Sequence, residues 1–596
     1  MSDYNSSKLY KIRHSTAHVL AQAVLEMFPE GKIAIGPPIK DGFYYDFELP
    51  RSLTDEDLEA LEIRMKAIIK AGHTFSSKVV DPEEAKTFFK NQPYKIELIE
   101  DLLKGGRDEN GEKIQESVSL SFYTQDTFTD LCRGPHVESL KEVKPDAVKL
   151  LRVAGAYWRG DETRPMLQRI YGTAFESKKE LDLYLERLEE AKKRDHRALG
   201  KKLDLFSTSE MVGQGLTLWH PKGATSRYLA ERFSMEAHRM NGYELVYTPH
   251  IGRSELWETS GHLQFYKESM YRPMDIEGDE YYLKPMNCPF HVHIYKSDMR
   301  SYRELPKRFA EFGTVYRYER SGVLQGLTRV RGFTQDDAHI FCTKDQVPQE
   351  IERAVKFSLY VLESFGLKDF TAYISTRPPK KSIGTEEEWE IAEKTLIETV
   401  QKLNIKFEVD EGGGAFYGPK IDLKLRDVLD REWQLSTVQF DFNLPRNFGL
   451  EYVDADGQKK IPYMVHRALF GSVERFFAML LEHYSGSLPF WLAPEQVTLV
   501  PISDKHVPYA EELFEKLSDQ NIRAHVDSRT ERMQAKIRDA EMRRVPYIFV
   551  MGDRDIEAGV VSVRSRDFKD LGTMNLDQFF EHVKPELAHG VPRRID

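Results

Sequence analysis

Two short segments far apart in the chain place metal-binding or acid–base side chains at one interval. In HSTAH, His14 and His18 stand at i,i+4 and so share one face of a helix; in CRGPH, Cys132 and His136 repeat that interval, with Asp130 just upstream. Spacing alone reads these four as a Cys/His₃ metal site. A second constellation is GTVYRYERSGVLQGLTRVRGFTQDDAHIF (313–341), two runs of strand composition around a glycine-containing loop. One arm carries Arg317 and Glu319, which as alternate strand residues point the same way; the other carries Arg329 and Arg331. The planar arginine fork suits phosphate, and a carboxylate two residues on could read an exocyclic amine or a ribose. A surface hairpin laced by solvated ion pairs is the competing reading. In the third, HRALFGSVERFFAMLLEHY, Gly471 and Ser472 open a helix with Glu474 and Arg475 in its first turn. A helix N-terminus beside an arginine is an anion site. A capped amphipathic helix with Phe476, Phe477, Leu480 and Leu481 in the core accounts for the same residues. Cys288, His339 and His466 match no metal-binding spacing and read, by spacing alone, as core residues.

The elements that must hold these groups fall into several domains, because 596 residues exceed what one core sustains. A short helix around residues 14–27 and a strand-like GFYYDFEL are followed by a helix over 54–71 and strand-rich sequence through Tyr171. Residues 177–199 read as one charged amphipathic helix, suited to linking domains. Mixed α/β sequence fills 201–490, where ATSRYLAERFSMEAHRMNGYELVYTPHI looks like a helix and strand for packing or dimerisation. Beyond it, VTLVPI, YAEELFEKLSDQ, RAHVD, ERMQAKIRDAEMRR, YIFVMG and VVSVRSR alternate as βαβαβ, a doubly wound domain with a largely parallel sheet. The polar N-terminus has no apolar signal core, no apolar run is long enough to span a membrane, and three cysteines make no disulfide framework, so the expected location is cytoplasmic. A net charge of −11 argues against a DNA-coating protein. It leaves room for RNA held by local patches such as Arg523, Arg529, Arg532, Lys536, Arg538, Arg543 and Arg544.

Taken in order, the three constellations resemble the signature motifs of class II aminoacyl-tRNA synthetases. KPMNCPFH, RVRGFTQDDAHIF, GGGAFYGPKID, STVQFDF and VHRALFGSVERF resemble, in detail, the threonyl-tRNA synthetase family. The resemblance runs from about His14 to the C-terminus. It implies an N-terminal α+β editing domain over 1–176, a linker helix over 177–200, a class II antiparallel-sheet catalytic domain over 201–490 and an α/β anticodon-binding domain over 491–596. It implies activation of L-threonine by ATP with Mg²⁺, transfer to tRNA(Thr), hydrolysis of mischarged seryl-tRNA and a homodimer, with neither membrane nor DNA as partner.

Carried residue by residue, the resemblance puts Arg317 on the α-phosphate, Glu319 on the adenine amine, Arg329 and Arg475 on the terminal phosphates and Phe333 against adenine. Gln434 and Thr437 complete the ATP set. Gln335, Asp337, Tyr417 and Gln439 would hold threonine, and His262 would serve the transfer step. Cys288, His339 and His466 become ligands of one Zn²⁺ with an open position, which tells threonine from valine by the hydroxyl. Serine keeps that hydroxyl, so His14, His18, Asp130, Cys132 and His136 are expected to edit, the presence of metal there being left open. Arg532, Asp555 and Arg564 would contact anticodon bases. Many members carry a small ubiquitin-like domain ahead of the editing domain; the HSTAH helix begins almost at residue 1, so a short form is expected. An RNA-binding regulator without activity would lose the motif arginines, and a prolyl- or seryl-type enzyme would lack the Cys/His/His set.

Overall fold

The structure, a computed structural model, describes residues 7–104, 119–379, 382–427, 429, 431–567 and 569–595. It divides into two compact units, residues 1–189 and 190–596.

In the first unit, helix α1 (Lys8–Met27) starts where the Ser7 hydroxyl accepts from Tyr10 N–H, satisfying a donor that the first turn leaves free. Every residue from Ile12 to Val24 is buried, so the polar groups at 14, 15, 16, 18 and 22 go inside and must find partners there. A mainly antiparallel sheet runs in the order Lys32–Ile33, Gly42–Glu48, Met166–Ala174, Val148–Tyr157. A second sheet of Ser76–Val80, Leu120–Gln125 and Phe128–Leu131 delivers Asp130 and Cys132. The expected helix over 54–71 is Asp55–Ala71, capped by Thr54. Where strands alone were expected, helices Pro82–Phe88 and Pro93–Leu103 intervene; buried Tyr94, Leu98, Ile99 and Leu102 do follow a helical period.

The helix expected over 177–199 is two. Helix α2 (Lys178–Arg194) ends, and α3 (His196–Lys202) begins with the Asp195 carboxylate accepting from Arg197 N–H. An internal cap interrupts the helix without disturbing its apolar periodicity.

The second unit is built on an eight-stranded sheet. Its order is Glu244–Leu245, β1 (Lys307–Tyr316), β2 (Gly332–Cys342), β4 (Tyr463–Ala468), β3 (Glu432–Asp441), Lys420–Arg426, Phe370–Ser375 and Phe407–Asp410. All neighbours are antiparallel except the pair at each edge. One face packs against helices Pro221–Met240, Val347–Ser364 and α5 (Val473–His483) through a continuous core that includes Phe233, Phe357, Trp389, Phe476 and Leu480. Helix α4 (Cys288–Lys296) brings Cys288 to its own first position. In the C-terminal part, Ala524–Val526, Val497–Pro501 and Tyr547–Met551 are parallel, as expected, but Val561–Ser565 and Asp570–Met574 extend the sheet antiparallel. That last strand and helix Leu576–Ala588 were not foreseen.

Candidate functional site

Strand alternation assembles the site. On β2, Phe333, Gln335, Asp337 and His339 occupy every second position and therefore share a face. His339 pairs directly with His466 of β4, which pairs in turn with Gln439 of β3. Three strands thus lay polar residues side by side. A bulge completes the set. Asp422 pairs with Thr437 but Lys424 pairs with Gln434, so β3 carries one residue more than its neighbour, and Gln434 and Thr437 come to the same carboxylate. Asp422 accepts from Gln434 Nε2 at 2.7 Å and Thr437 Oγ1 at 2.6 Å.

Phe333, Gln335, Asp337, His339, Gln434, Thr437, Gln439 and His466 line one cavity of about 530 Å³, together with Cys288, Arg317, Glu319, Arg329, Tyr417, Gly471, Ser472 and Arg475. Every residue assigned above to ATP, threonine or zinc lies on its wall; His262 stands one layer back, its Nε2 3.1 Å from the Sδ of the lining Met286. Arg317 and Glu319 lie just past the end of β1 rather than on an extended hairpin arm. The Arg317 guanidinium sits over the Phe333 ring at 5.0 Å, and Arg329 pairs with Glu319 at 3.0 Å. Arg475 is in the first turn of α5, where Ser472 caps its N–H, and has no carboxylate partner among the described residues. Burial lowers its affinity for a proton. A half-buried, unpaired guanidinium at a helix N-terminus is a demand for an anion.

The possible ligand atoms of Cys288, His339 and His466 lie within 4.8 Å of one another. Hydrogen bonds set the histidine tautomers. Glu311 accepts from Thr248 N–H and hydroxyl and lies 3.2 Å from His291 Nε2; although burial raises its pKa, the bond from His291 and nearby charges bring it below the usual value. An ionised carboxylate only accepts, so His291 holds its proton on Nε2, and its Nδ1 accepts from His339 Nδ1–H across 2.7 Å. His339 Nε2 is left with a bare lone pair. Likewise His466 Nε2–H donates to Asp441 at 2.9 Å, baring Nδ1. One sulfur and two imidazole nitrogens, with no fourth protein donor grouped with them among the described residues, are a donor set that fits zinc. Asp337, its pKa raised by burial, accepts from Asn287 Nδ2 at 3.1 Å beside them, and Tyr417 hydroxyl donates to Gln439 at 2.9 Å. His291, Glu311, Asp422 and Asp441 were missed from the sequence; only His291 had a local signal, standing one helical turn after Cys288.

In the first unit, α1 brings His14 and His18 against the segment 130–136. Cys132 Sγ is 3.3 Å from both His14 Nε2 and His136 Nε2, and the His14 and His136 rings stack at 4.1 Å. Asp130 is held by Lys95 and Tyr45, each at 2.5 Å, and lies 3.9 Å from His18. Lys95 and Tyr45 are buried members of the cluster that spacing did not reveal. Burial first, then neighbouring positive charge, lowers the pKa of His14 and His18 to about 3, so both are neutral at physiological pH. The buried His18 Nδ1 has no hydrogen-bond partner among the described residues. The cavity here is about 20 Å³, room for roughly one water.

The C-terminal basic patch is partly spent inside the fold. Lys536 is buried on Pro501 O, Arg523 bonds Trp491 O and Ala493 O, and Arg529 and Arg543 pair with carboxylates. Arg532 and Arg564 are exposed, whereas the Asp555 carboxylate accepts from Gly552 N–H and the Ser562 hydroxyl.

Residues 269–484 match the family described as "tRNA synthetase class II core domain (G, H, P, S and T)", 496–586 the "Anticodon binding domain", and 120–171 the "Threonyl and Alanyl tRNA synthetase second additional domain". The chain is 50% identical over 575 residues to the threonine–tRNA ligase of Borreliella burgdorferi (strain ZS7), covering 96% of this chain and 97% of that one. To its counterpart in Sulfurihydrogenibium sp. (strain YO3AOP1) it is 52% identical over 583 residues, 97% and 88% of the two chains. Among solved structures, the RNA binding domain of threonyl-tRNA synthetase from Cryptosporidium parvum Iowa II superimposes with a TM-score of 0.64 at 40% identity, over 67% of this chain and 100% of that one.

Proposed function

The chain belongs to the threonine–tRNA ligase family, and from that premise we infer which side chains carry its chemistry. It activates L-threonine with ATP and Mg²⁺, loads it onto transfer RNA and hydrolyses mischarged product. The observation that carries the assignment of residues is that all fourteen positions the resemblance assigns to ATP, threonine or zinc lie on one cavity wall.

In the activation step a carboxylate oxygen of threonine attacks the α-phosphorus, a new P–O bond forms and pyrophosphate leaves. Arg317 meets the α-phosphate, where charge builds up, and the leaving phosphates are held by Arg475, which has no carboxylate partner among the described residues, and by Arg329, which exchanges Glu319 for phosphate, so that positive charge is in place as the bond breaks. Glu319 and Phe333 seat the adenine, and Gln434 and Thr437, aimed by Asp422, complete the nucleotide site. In the transfer step a terminal ribose hydroxyl attacks the adenylate carbonyl and AMP leaves. His262, with its pKa lowered to about 4 by burial and then by Arg317, is neutral and stands behind Met286, from where it would act on this step by positioning the groups that line the cavity.

Cys288, His339 and His466 would hold Zn²⁺, which when bound would supply Lewis-acid coordination to the threonine amine and hydroxyl. Asp337 accepts from that hydroxyl, and Gln335, Tyr417 and Gln439 orient the amine and carboxylate. Valine fails for want of a hydroxyl; serine is short of one methyl group, a difference of roughly 1–3 kcal/mol, and must be removed afterwards. His14, His18, Asp130, Cys132 and His136 are the hydrolytic set for that, positioning the ester and a water; Arg532, Asp555 and Arg564 are proposed for the anticodon. The proposed domains are 1–176, 177–200, 201–490 and 491–596, in a cytoplasmic homodimer.

The test is ATP–pyrophosphate exchange across the amino acids, with metal content by mass spectrometry and mass by light scattering. Exchange with threonine, none with valine and about one zinc per chain are expected. Equal exchange with valine would remove the metal from recognition, and a monomer mass at micromolar concentration would remove the dimer.

A further inference from the structure

The phosphate-facing loop between β1 and β2 is anchored from behind. Its returning arm folds into a tight turn: Gln325 N–H donates to Arg329 O at 3.1 Å, and Arg329 N–H donates to Gln325 O at 3.2 Å. At the centre of this turn Leu327, 1% exposed, directs its N–H at His196 Nε2 across 3.1 Å. His196 opens α3, is 2% exposed, and reaches Glu482 of α5 twice, through its own N–H at 3.2 Å and through Nδ1 at 2.7 Å. Glu482 also holds Arg431 at 2.6 Å.

The roles follow from bonding capacity. Leu327 N–H can only donate, so Nε2 must present its lone pair and the ring proton must sit on Nδ1, where Glu482 accepts it. The approach is close enough to dictate a residue type. Gly326 has φ +47°, and a Cβ there would lie 2.2 Å from His196 Nε2, so only glycine lets the turn seat on the ring. Asp195, His196 and Glu482 lie close enough to hold a cation. Their donors are nevertheless committed, to Arg197, Leu327 and Arg431.

We propose that His196 is a positioning residue for the nucleotide site: it pins the Gln325–Arg329 turn so that Arg329 stands at the phosphates, and it ties that turn to the far end of the helix whose first turn carries Arg475. The two phosphate arginines are thereby set by one buried hydrogen-bonded chain, Leu327–His196–Glu482. The proposal rests on the reading of Arg329 as a phosphate ligand.

The experiment measures ATP–pyrophosphate exchange by the full chain with ATP and threonine varied in turn. His196→Ala should raise the KM for ATP roughly tenfold, the consequence of stranding one buried donor, while the KM for threonine stays within twofold. His196→Gln, which returns an acceptor to the Nε2 position, should recover most of the loss. His196→Asn, which returns only the donor toward Glu482, should not. In an Arg329→Ala background, itself raised in KM for ATP, His196→Ala should add little. A folded His196→Ala protein with the wild-type KM for ATP overturns the proposal, as does an equal rise for ATP and threonine or full additivity with Arg329→Ala. If Arg329→Ala leaves the KM for ATP unchanged, the phosphate reading of Arg329 fails instead. If the alanine variant does not fold, the contrast between Gln and Asn decides, equal values overturning the proposal.

Discussion

Replacing His291 by phenylalanine tests whether the protein sets the His339 tautomer proposed to face zinc. The change preserves most of the ring volume but removes the acceptor for His339 Nδ1–H, which lies in a fully buried position. Glu311 is not stranded, because Thr248 N–H and hydroxyl remain at 3.1 and 2.7 Å and Lys284 Nζ at 3.8 Å. The loss therefore falls on His339 alone. Leaving one buried donor unmade costs about 1–3 kcal/mol. Removing an outer partner of a metal ligand typically costs 10–100-fold in affinity, about 1.4–2.7 kcal/mol by the usual conversion. The two routes agree, so zinc affinity should fall about 10–100-fold. The assay is competition of the full chain against a chromophoric chelator, with circular dichroism to confirm folding. His291→Asn, which restores an acceptor near the Nδ1 position, should regain part of the loss. A folded His291→Phe protein with wild-type zinc affinity would refute the argument, since another group would then be orienting His339.

Three further outcomes are expected. Replacing both His14 and His18 by alanine should slow hydrolysis of pre-formed seryl-tRNA by about 10²-fold or more while threonine-dependent pyrophosphate exchange stays near wild type; equal hydrolysis rates would remove the editing role. The same histidines predict acid lability, because their folded pKa of about 3 lies below the ordinary 6.5. The unfolded chain takes up protons first as pH falls below 6.5, so stability is full above that value and declines toward pH 3. By pH 5 the decline is about 2 kcal/mol per histidine, seen as a falling midpoint of thermal unfolding, and the slope should flatten in the double alanine variant, leaving the share of His136, whose pKa burial also lowers; an identical slope there would count against it. Asp422→Ala should raise the KM for ATP roughly tenfold by releasing Gln434 and Thr437, with zinc content unchanged; no change would mean that the nucleotide does not need those two side chains held.

The motif residues were legible because each lies in a short segment whose types say what chemistry is possible, and the resemblance supplied the ligand roles that spacing could not. What stayed hidden depends on pairing between segments distant in the chain. Glu311 reaches His339 only through His291, across 20 and then 48 residues of sequence. Gln434 faces the cavity beside a bulge, which no period-two reading of β3 would place. The split at Asp195 was lost for a different reason: a cap changes the chain's direction but leaves the apolar rhythm of the helix intact. Helices Pro82–Phe88 and Pro93–Leu103 were overlooked because strand composition on either side outweighed two short periodic runs.

The His339–His466 cross-strand pair also bears on how the enzyme fails when heated. The half of the cavity proposed for the amino acid is held by the ladder of central strands, among the last parts of a domain to open, whereas the half proposed for the nucleotide hangs on a turn and a helix end, which open early. Slow hydrogen exchange is expected across β2 and β4 and fast exchange through 320–331. As temperature rises, turnover should fade while the preference for threonine over valine still stands, so a sluggish enzyme at its upper limit would remain a discriminating one.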